Sequence, residues 1–131
     1  MATDLRVVLP NRPGMLLTAC EALDAAGVTV QSVCGDLRPG ERWGYLHLLV
    51  DDAAASRAVL EGAGLQVVSE HNVELLPVEG PGHALTDAVS RYTGEGRNVE
   101  IVYLSQDGRL VIGTEDMRKD VPGVKVKDAK Y

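Results

Sequence analysis

Leu5, Val7 and Leu9 alternate with Arg6 and Val8, which predicts a strand over residues 4–10 with one well-covered face. The spacing then changes. Leu16, Cys20, Leu23 and Ala26 recur at helical intervals with Glu21 and Asp24 opposite, so a helix is expected from Met15 to Ala26, stopped by Gly27. Alternation resumes from Val28 to Asp36 and again from Arg42 to Val50, around a turn signalled by Pro39-Gly40. These two runs read as a long hairpin, and His47, between Leu46 and Leu48, falls on its open face. The stretch 51–64 reads as an alanine-rich helix capped by Asp51-Asp52 and ended by glycine, and Leu65-Gln66-Val67-Val68 begins a fourth strand. The order β-α-β-β-α-β is that of the ferredoxin-like split βαβ, with both helices on one face of an antiparallel sheet. The other face must be solvated or paired.

After Asn72 the order begins again. Val73 to Val78 alternates, Gly80-Pro81-Gly82 precedes a helix at about 83–93 with the stripe Leu85, Ala88, Val89 and Tyr92, and 98–104 and 109–113 form a hairpin around Asp107-Gly108. This matching order indicates an internal duplication, residues 1–71 and 72–131. The second copy is shortened. Its second helix is reduced to about 116–120, stopped by Pro122-Gly123, and Val124 to Lys127 reads as a short last strand. Lys125, Lys127 and Lys130 read as protection of an edge strand, or as a basic tail for an acidic partner. The poorly covered second half is expected to lean on the first half or on another subunit.

The stretch joining the first strand to the first helix, Leu9-Pro10-Asn11-Arg12-Pro13-Gly14-Met15-Leu16, is where chemistry is expected. Pro13 suits a first helical turn, Gly14 lets a backbone or small ligand approach, and Asn11 can cap the helix or turn its amide outward. Free N–H groups and the positive dipole end behind them suit a small carboxylate, although the same residues would also make a plain capped turn. Strand, Asn-x-Pro-Gly-x-Leu, helix, Ala26-Gly27-Val28-Thr29-Val30, and then Trp43 to Val50 followed by Asp51-Asp52 resemble the stand-alone tandem proteins of the ACT family, small βαββαβ amino-acid-sensing modules. The resemblance is close over 4–76 and looser over 77–131. It implies a site where the first loop of one copy, Asn11, Arg12, Pro13, Gly14, Met15 and Leu16, meets strand two of a neighbouring copy, Gln31, Ser32 and Val33. Backbone N–H groups at Gly14 to Leu16 would hold a carboxylate. Asn11 and strand-two carbonyls would receive an ammonium group, and Met15 would contribute to side-chain selectivity. In the second copy Glu79 replaces Asn11 and would repel a carboxylate, so that loop reads as a partner wall facing an ammonium group or as a simple helix start.

Composition narrows the classes. A net charge of −6, no Phe, one Trp and four Tyr argue against nucleic acid. No segment approaches the roughly 18 apolar residues of a membrane span, and no signal peptide is visible at the N-terminus, so a cytoplasmic protein is expected. Cys20 and Cys34 read as small buried apolar residues rather than a redox pair, and isolated histidines make zinc unlikely by spacing. Trp43 reads as a packing residue of the hairpin ahead of a ligand contact. Neither His47 nor His83 has a nucleophile or carboxylate beside it in sequence, no phosphate loop or nucleophile elbow occurs, and no cofactor or catalytic residue is expected. The reading is therefore a non-catalytic regulatory protein that binds an amino acid or similar small carboxylate as a homodimer and acts on an unidentified protein partner. The alternatives are an interaction module of the same fold without ligand and, less favoured, a small enzyme.

Overall fold

Leu5, Val7 and Leu9 do share one face of the first strand, and everything else packs around that strand. The computed structural model describes residues 2–78 and 84–121. In chain order the elements are β1 (Thr3–Pro10), α1 (Met15–Ala25), β2 (Val30–Asp36), β3 (Trp43–Val50), α2 (Ala53–Gly62), β4 (Gln66–Asn72), β5 (Glu74–Pro77), α3 (Ala84–Gly94), β6 (Val99–Leu104), β7 (Arg109–Thr114) and, after a 3-10 turn at Glu115–Met117, β8 (Arg118–Asp120). One sheet has the order β2-β3-β1-β4-β8 and the other β5-β7-β6, with antiparallel neighbours throughout. The strand orders β2-β3-β1 and β6-β7-β5 match position for position. The fold is thus the α+β, paired ferredoxin-like arrangement, its second repeat the shorter one among the described residues.

Alternation decides which face each residue serves. Leu5, Val7 and Leu9 of β1, Leu46, Leu48 and Val50 of β3 and Val67 of β4 bury against Ala19 and Leu23 of α1 and Leu60 of α2. Full burial of a side chain such as Leu60 is worth about 1.5–3 kcal/mol. Asp52 caps α2 by accepting from the Ala55 N–H at 3.0 Å. Gly27 ends α1 at φ 68°, where its own N–H and that of Val28 reach back to the Asp24 and Leu23 carbonyls.

The face left open by the helices is covered by the second sheet. Leu49 packs against Val73 and Val111, with Leu75 and Tyr103 beside them. The Ser32 hydroxyl donates to the Leu104 carbonyl at 3.0 Å, and the Tyr103 hydroxyl donates to Asp4 at 2.7 Å. On the far side of the second sheet Tyr92 of α3 buries against Leu110 and Ile112. The layers run α1 and α2, first sheet, second sheet, α3. Trp43 packs against the small cluster of Val8, Tyr45 and Val68, as a hairpin packing residue should.

Three expectations are corrected. The inner row of α1 is Met15, Ala19 and Leu23, an unbroken i, i+4, i+8 series in which small Ala19 permits close approach to the sheet. Leu16 and Leu17 are left 46% and 59% exposed. Both cysteines are exposed, Cys20 because it follows Leu16 outward and Cys34 because β2 is an edge strand. The helix expected at 116–120 is a 3-10 turn followed by β8, which pairs Ser69 with Asp120 and His71 with Arg118. Five residues gain little from helix nucleation, whereas the edge of β4 offers a ready ladder. The loop Glu79 to His83, the strand expected at 124–127 and its lysines lie outside the described residues.

Candidate functional site

β1 stops at Pro10, and the chain turns through Asn11 to Gly14 before α1. Asn11 is clamped rather than outward-facing. Its N–H donates to the Arg42 carbonyl at 2.9 Å, and its side-chain amide donates to the carbonyls of Arg38 at 2.9 Å and Glu41 at 2.8 Å. Asn11 therefore ties the β1–α1 loop to the β2–β3 turn with both amide hydrogens, and its side-chain oxygen makes no cap bond to α1. Gly14 occupies the N-cap position at φ 90°, a conformation costly to residues with a Cβ, and its surroundings are open. Its carbonyl accepts from the Thr18 N–H and hydroxyl, both at 2.9 Å.

No side chain caps α1, its first turn carries no acidic residue, and the Leu16 and Leu17 N–H groups have no acceptor among the described residues. Arg12, Pro13 and Gly14 are exposed beside them and Met15 is half-buried against the core. This end of the helix thus presents unpaired donors and a positive dipole end, with the exposed, positively charged Arg12 two residues before the N-cap, a combination that attracts an anion.

The strand-two residues lie elsewhere. Val33 pairs with Leu48, which pairs with Leu5, whereas the loop follows Pro10. Five residue steps separate them, about 17 Å along the strand. Gln31 donates to Asp51 at 2.6 Å, Ser32 is buried between the sheets on Leu104, and Val33 is 55% exposed on the helix side of the edge strand. Within one chain the loop and these three residues do not meet.

Gln31 does line a cleft of about 260 Å³ where the start of β2 faces the β6–β7 turn, walled also by Thr29, Ser105, Gln106, Asp107 and Arg109. The Ser105 hydroxyl donates to Asp107, and Arg109 Nε lies 2.7 Å from its other oxygen. Those contacts, the hydroxyl first, hold the Asp107 carboxyl below its usual range. The turn signal Asp107-Gly108 was the only trace of this wall in the sequence.

His47 is the other correction. It lies on the face opposite the helices, covered by the second sheet, with Nδ1 3.1 Å from Oδ1 of the fully buried Asp4. Burial first, then the neighbouring Asp4 charge, pushes the Tyr103 hydroxyl pKa well above the usual range, so it stays a donor to that carboxylate. Nearby, His71 Nε2 lies 3.3 Å from Glu100, which also pairs with Arg118 at 3.1 Å. Burial lowers the His71 pKa in spite of Glu100. Among the described residues no cluster of His, Cys, Asp and Glu has a metal-binding arrangement, and no helix is long and apolar enough to cross a membrane.

No family model matches the sequence, and no curated protein matches it. Solved structures do. Protein BT0572 from Bacteroides thetaiotaomicron is similar at a TM-score of 0.74 and 20% identity, over 88% of this chain and 80% of that one. The regulatory subunit of aspartate kinase from Thermus thermophilus, in its ligand-free form, is similar at 0.65 and 15%, over 86% and 82%. The corresponding subunit from Thermus flavus gives 0.64 and 14%, over 86% and 82%. The chain has the ACT-type fold. At these identities the likeness is one of architecture.

Proposed function

We propose that this is a non-catalytic regulatory protein that binds an amino acid or similar small carboxylate between two copies of itself. The observation that carries the reading is the uncapped, exposed start of α1, where free N–H groups at Leu16 and Leu17 stand beside Arg12 at a left-handed glycine. Its complement is the position of Gln31, Ser32 and Val33 at the opposite end of an open edge strand. Two copies related by a two-fold axis beside β2 would run those strands antiparallel, and each loop would then approach the other copy's Gln31 to Val33. The exposed Leu16, Leu17, Val33 and Leu37 would be covered in the same step. The regulatory subunits of similar fold support a sensing role of this kind.

A carboxylate would bind the helix N–H groups, and strand-two carbonyls with the remaining Asn11 oxygen would take the ammonium group. A ligand held by both copies favours one packing over another, which is what a partner protein could read. One observation favours a second reading, an assembly module without ligand: Asn11 already ties the β1–α1 loop to the β2–β3 turn, a structural task that needs no ligand.

The test is thermal unfolding against the twenty amino acids at millimolar concentration. A ligand at 100 times its Kd adds about 2.7 kcal/mol and several degrees. The sensor reading expects one or a few related amino acids to raise the midpoint, and Arg12→Glu to abolish the rise. A flat panel with aromatic and keto acids included, together with a stable dimer, would transfer the assignment to the assembly module.

A further inference from the structure

Two aspartates follow β3, and their carboxylates do different things. Asp52 caps α2 through the Ala55 N–H. Asp51 makes no cap. Its Oδ1 accepts from Gln31 Nε2 at 2.6 Å, which holds the carboxylate beside the start of β2, where Val30 pairs with Val50. Asp51 is exposed, and among the described residues no cation pairs with it. Arg12 is its counterpart. It is exposed, no carboxylate pairs with it among the described residues, and its neighbour Asn11 ties it to the far end of the same hairpin. An unpaired negative charge and an unpaired positive charge thus stand at opposite ends of the β2 edge.

We propose that Asp51, held in place by Gln31, accepts the ligand's ammonium group and makes the site selective for an amino acid over the same carboxylate without its ammonium group. This rests on the two-copy site described above. A two-fold axis beside β2 brings the loop of one copy to the other copy's Gln31, and Asp51 arrives with that Gln31. Arg12 and the other copy's Asp51 then approach the ligand from opposite sides. A zwitterion satisfies both charges at once, its carboxylate on the helix N–H groups and Arg12, its ammonium group in a charge-assisted hydrogen bond to Asp51. A keto acid of the same skeleton gives Asp51 no donor and sets its own oxygens against that carboxylate, so the site disfavours it. The strand-two carbonyls and the Asn11 oxygen are neutral acceptors and supply no such repulsion. Gln31 serves as a positioning residue, because its amide hydrogen bond fixes where the Asp51 carboxylate stands.

Asp52 supplies an internal control, since it is an adjacent carboxylate already engaged by the helix. The experiment titrates the intact protein calorimetrically with each of the twenty amino acids. For each one that binds, it then titrates the counterpart without the ammonium group, such as pyruvate and propionate for alanine. The amino acid is expected to bind about tenfold more tightly than its counterpart or better, as a charge-assisted hydrogen bond provides. Asp51→Asn keeps an oxygen for Gln31 and loses the charge. It should weaken amino-acid binding about tenfold and change the counterpart's Kd by less than about twofold, so the preference collapses. Asp52→Asn should leave the preference as it is. A wild-type protein that binds both molecules alike, or an Asp51→Asn variant that keeps the full preference, would overturn the inference while the two-copy site stands. No amino acid binding at all would remove both.

Discussion

Tyr103→Phe tests whether the polar contact between the two sheets stabilises the fold. The substitution removes one oxygen and leaves the ring in the cluster with Leu49, Val73 and Val111, so no sizeable cavity forms. What is lost is a 2.7 Å hydrogen bond to a carboxylate that is 0% exposed, between residues 99 positions apart. Hydrogen bonds to charged groups contribute about 1.5–3 kcal/mol, and a carboxylate left short of a donor in a buried site has no water to replace it. The expected loss is therefore about 2 kcal/mol, with an unchanged denaturant slope and a midpoint lower by roughly 5–10 °C for a chain of this length. Urea unfolding of wild type and variant measures it. Combining the change with His47→Gln should give a loss that is not the sum of the two, because both donors serve the same carboxylate. A single-mutant loss below about 0.5 kcal/mol, or strict additivity in the double mutant, would mean that water between the sheets satisfies Asp4 and that the contact does not bind the halves together.

Three further outcomes are expected. A Cβ on Gly44 would lie 2.5 Å from the Asp36 carbonyl oxygen and 2.5 Å from Leu37 Cδ2, so Gly44→Ala should cost about 1–3 kcal/mol through forced movement of the β2–β3 hairpin, read by chemical unfolding. Asp52→Ala removes the α2 cap and should cost about 1 kcal/mol, with Asp52→Asn close to wild type in the same assay. His71 has a folded pKa below its unfolded value of 6.5, so the unfolded chain binds more protons as the pH falls through that window. Stability should be level in this respect above pH 6.5 and fall on acidification until the folded pKa is passed, and His71→Gln should flatten that slope in unfolding curves taken between pH 7.5 and 5.

The strands were legible because each carries its own period. Leu5, Val7 and Leu9 need no knowledge of β3 to announce a covered face, and the turn at Asp107-Gly108 needs no knowledge of either sheet. The rotation of α1 was not legible, because Leu16-Cys20-Leu23 and Met15-Ala19-Leu23 are both helical rows. The choice between them is made by how closely small Ala19 lets the helix approach the sheet, a property of the pair and not of the helix. β8 is a similar case. Nothing local makes Arg118 to Asp120 a strand, and the free edge of β4 supplies the reason from outside.

The same distinction explains what could be read of the sites. Gly14 was singled out for the open space it leaves, which the structure shows, but its left-handed N-cap conformation was not read, and that cap puts Pro13 one residue ahead of the helix rather than in its first turn. Asn11 was misread because its partners lie 27 and 30 positions away in a turn that only the folded hairpin brings near. His47 and Asp4 are 43 positions apart, and their contact follows from the β1–β3 register once that register is known. Its burial follows only from the arrival of the second sheet. In the proposed ligand site this dependence goes one level further. The loop and Gln31 to Val33 lie at opposite ends of one strand, so a single folded chain holds two half-sites and completes neither. Binding at such a site must then scale with dimerisation: diluting the protein below its dimer dissociation constant should remove ligand-induced stabilisation, while a ligand bound by one chain alone would keep it.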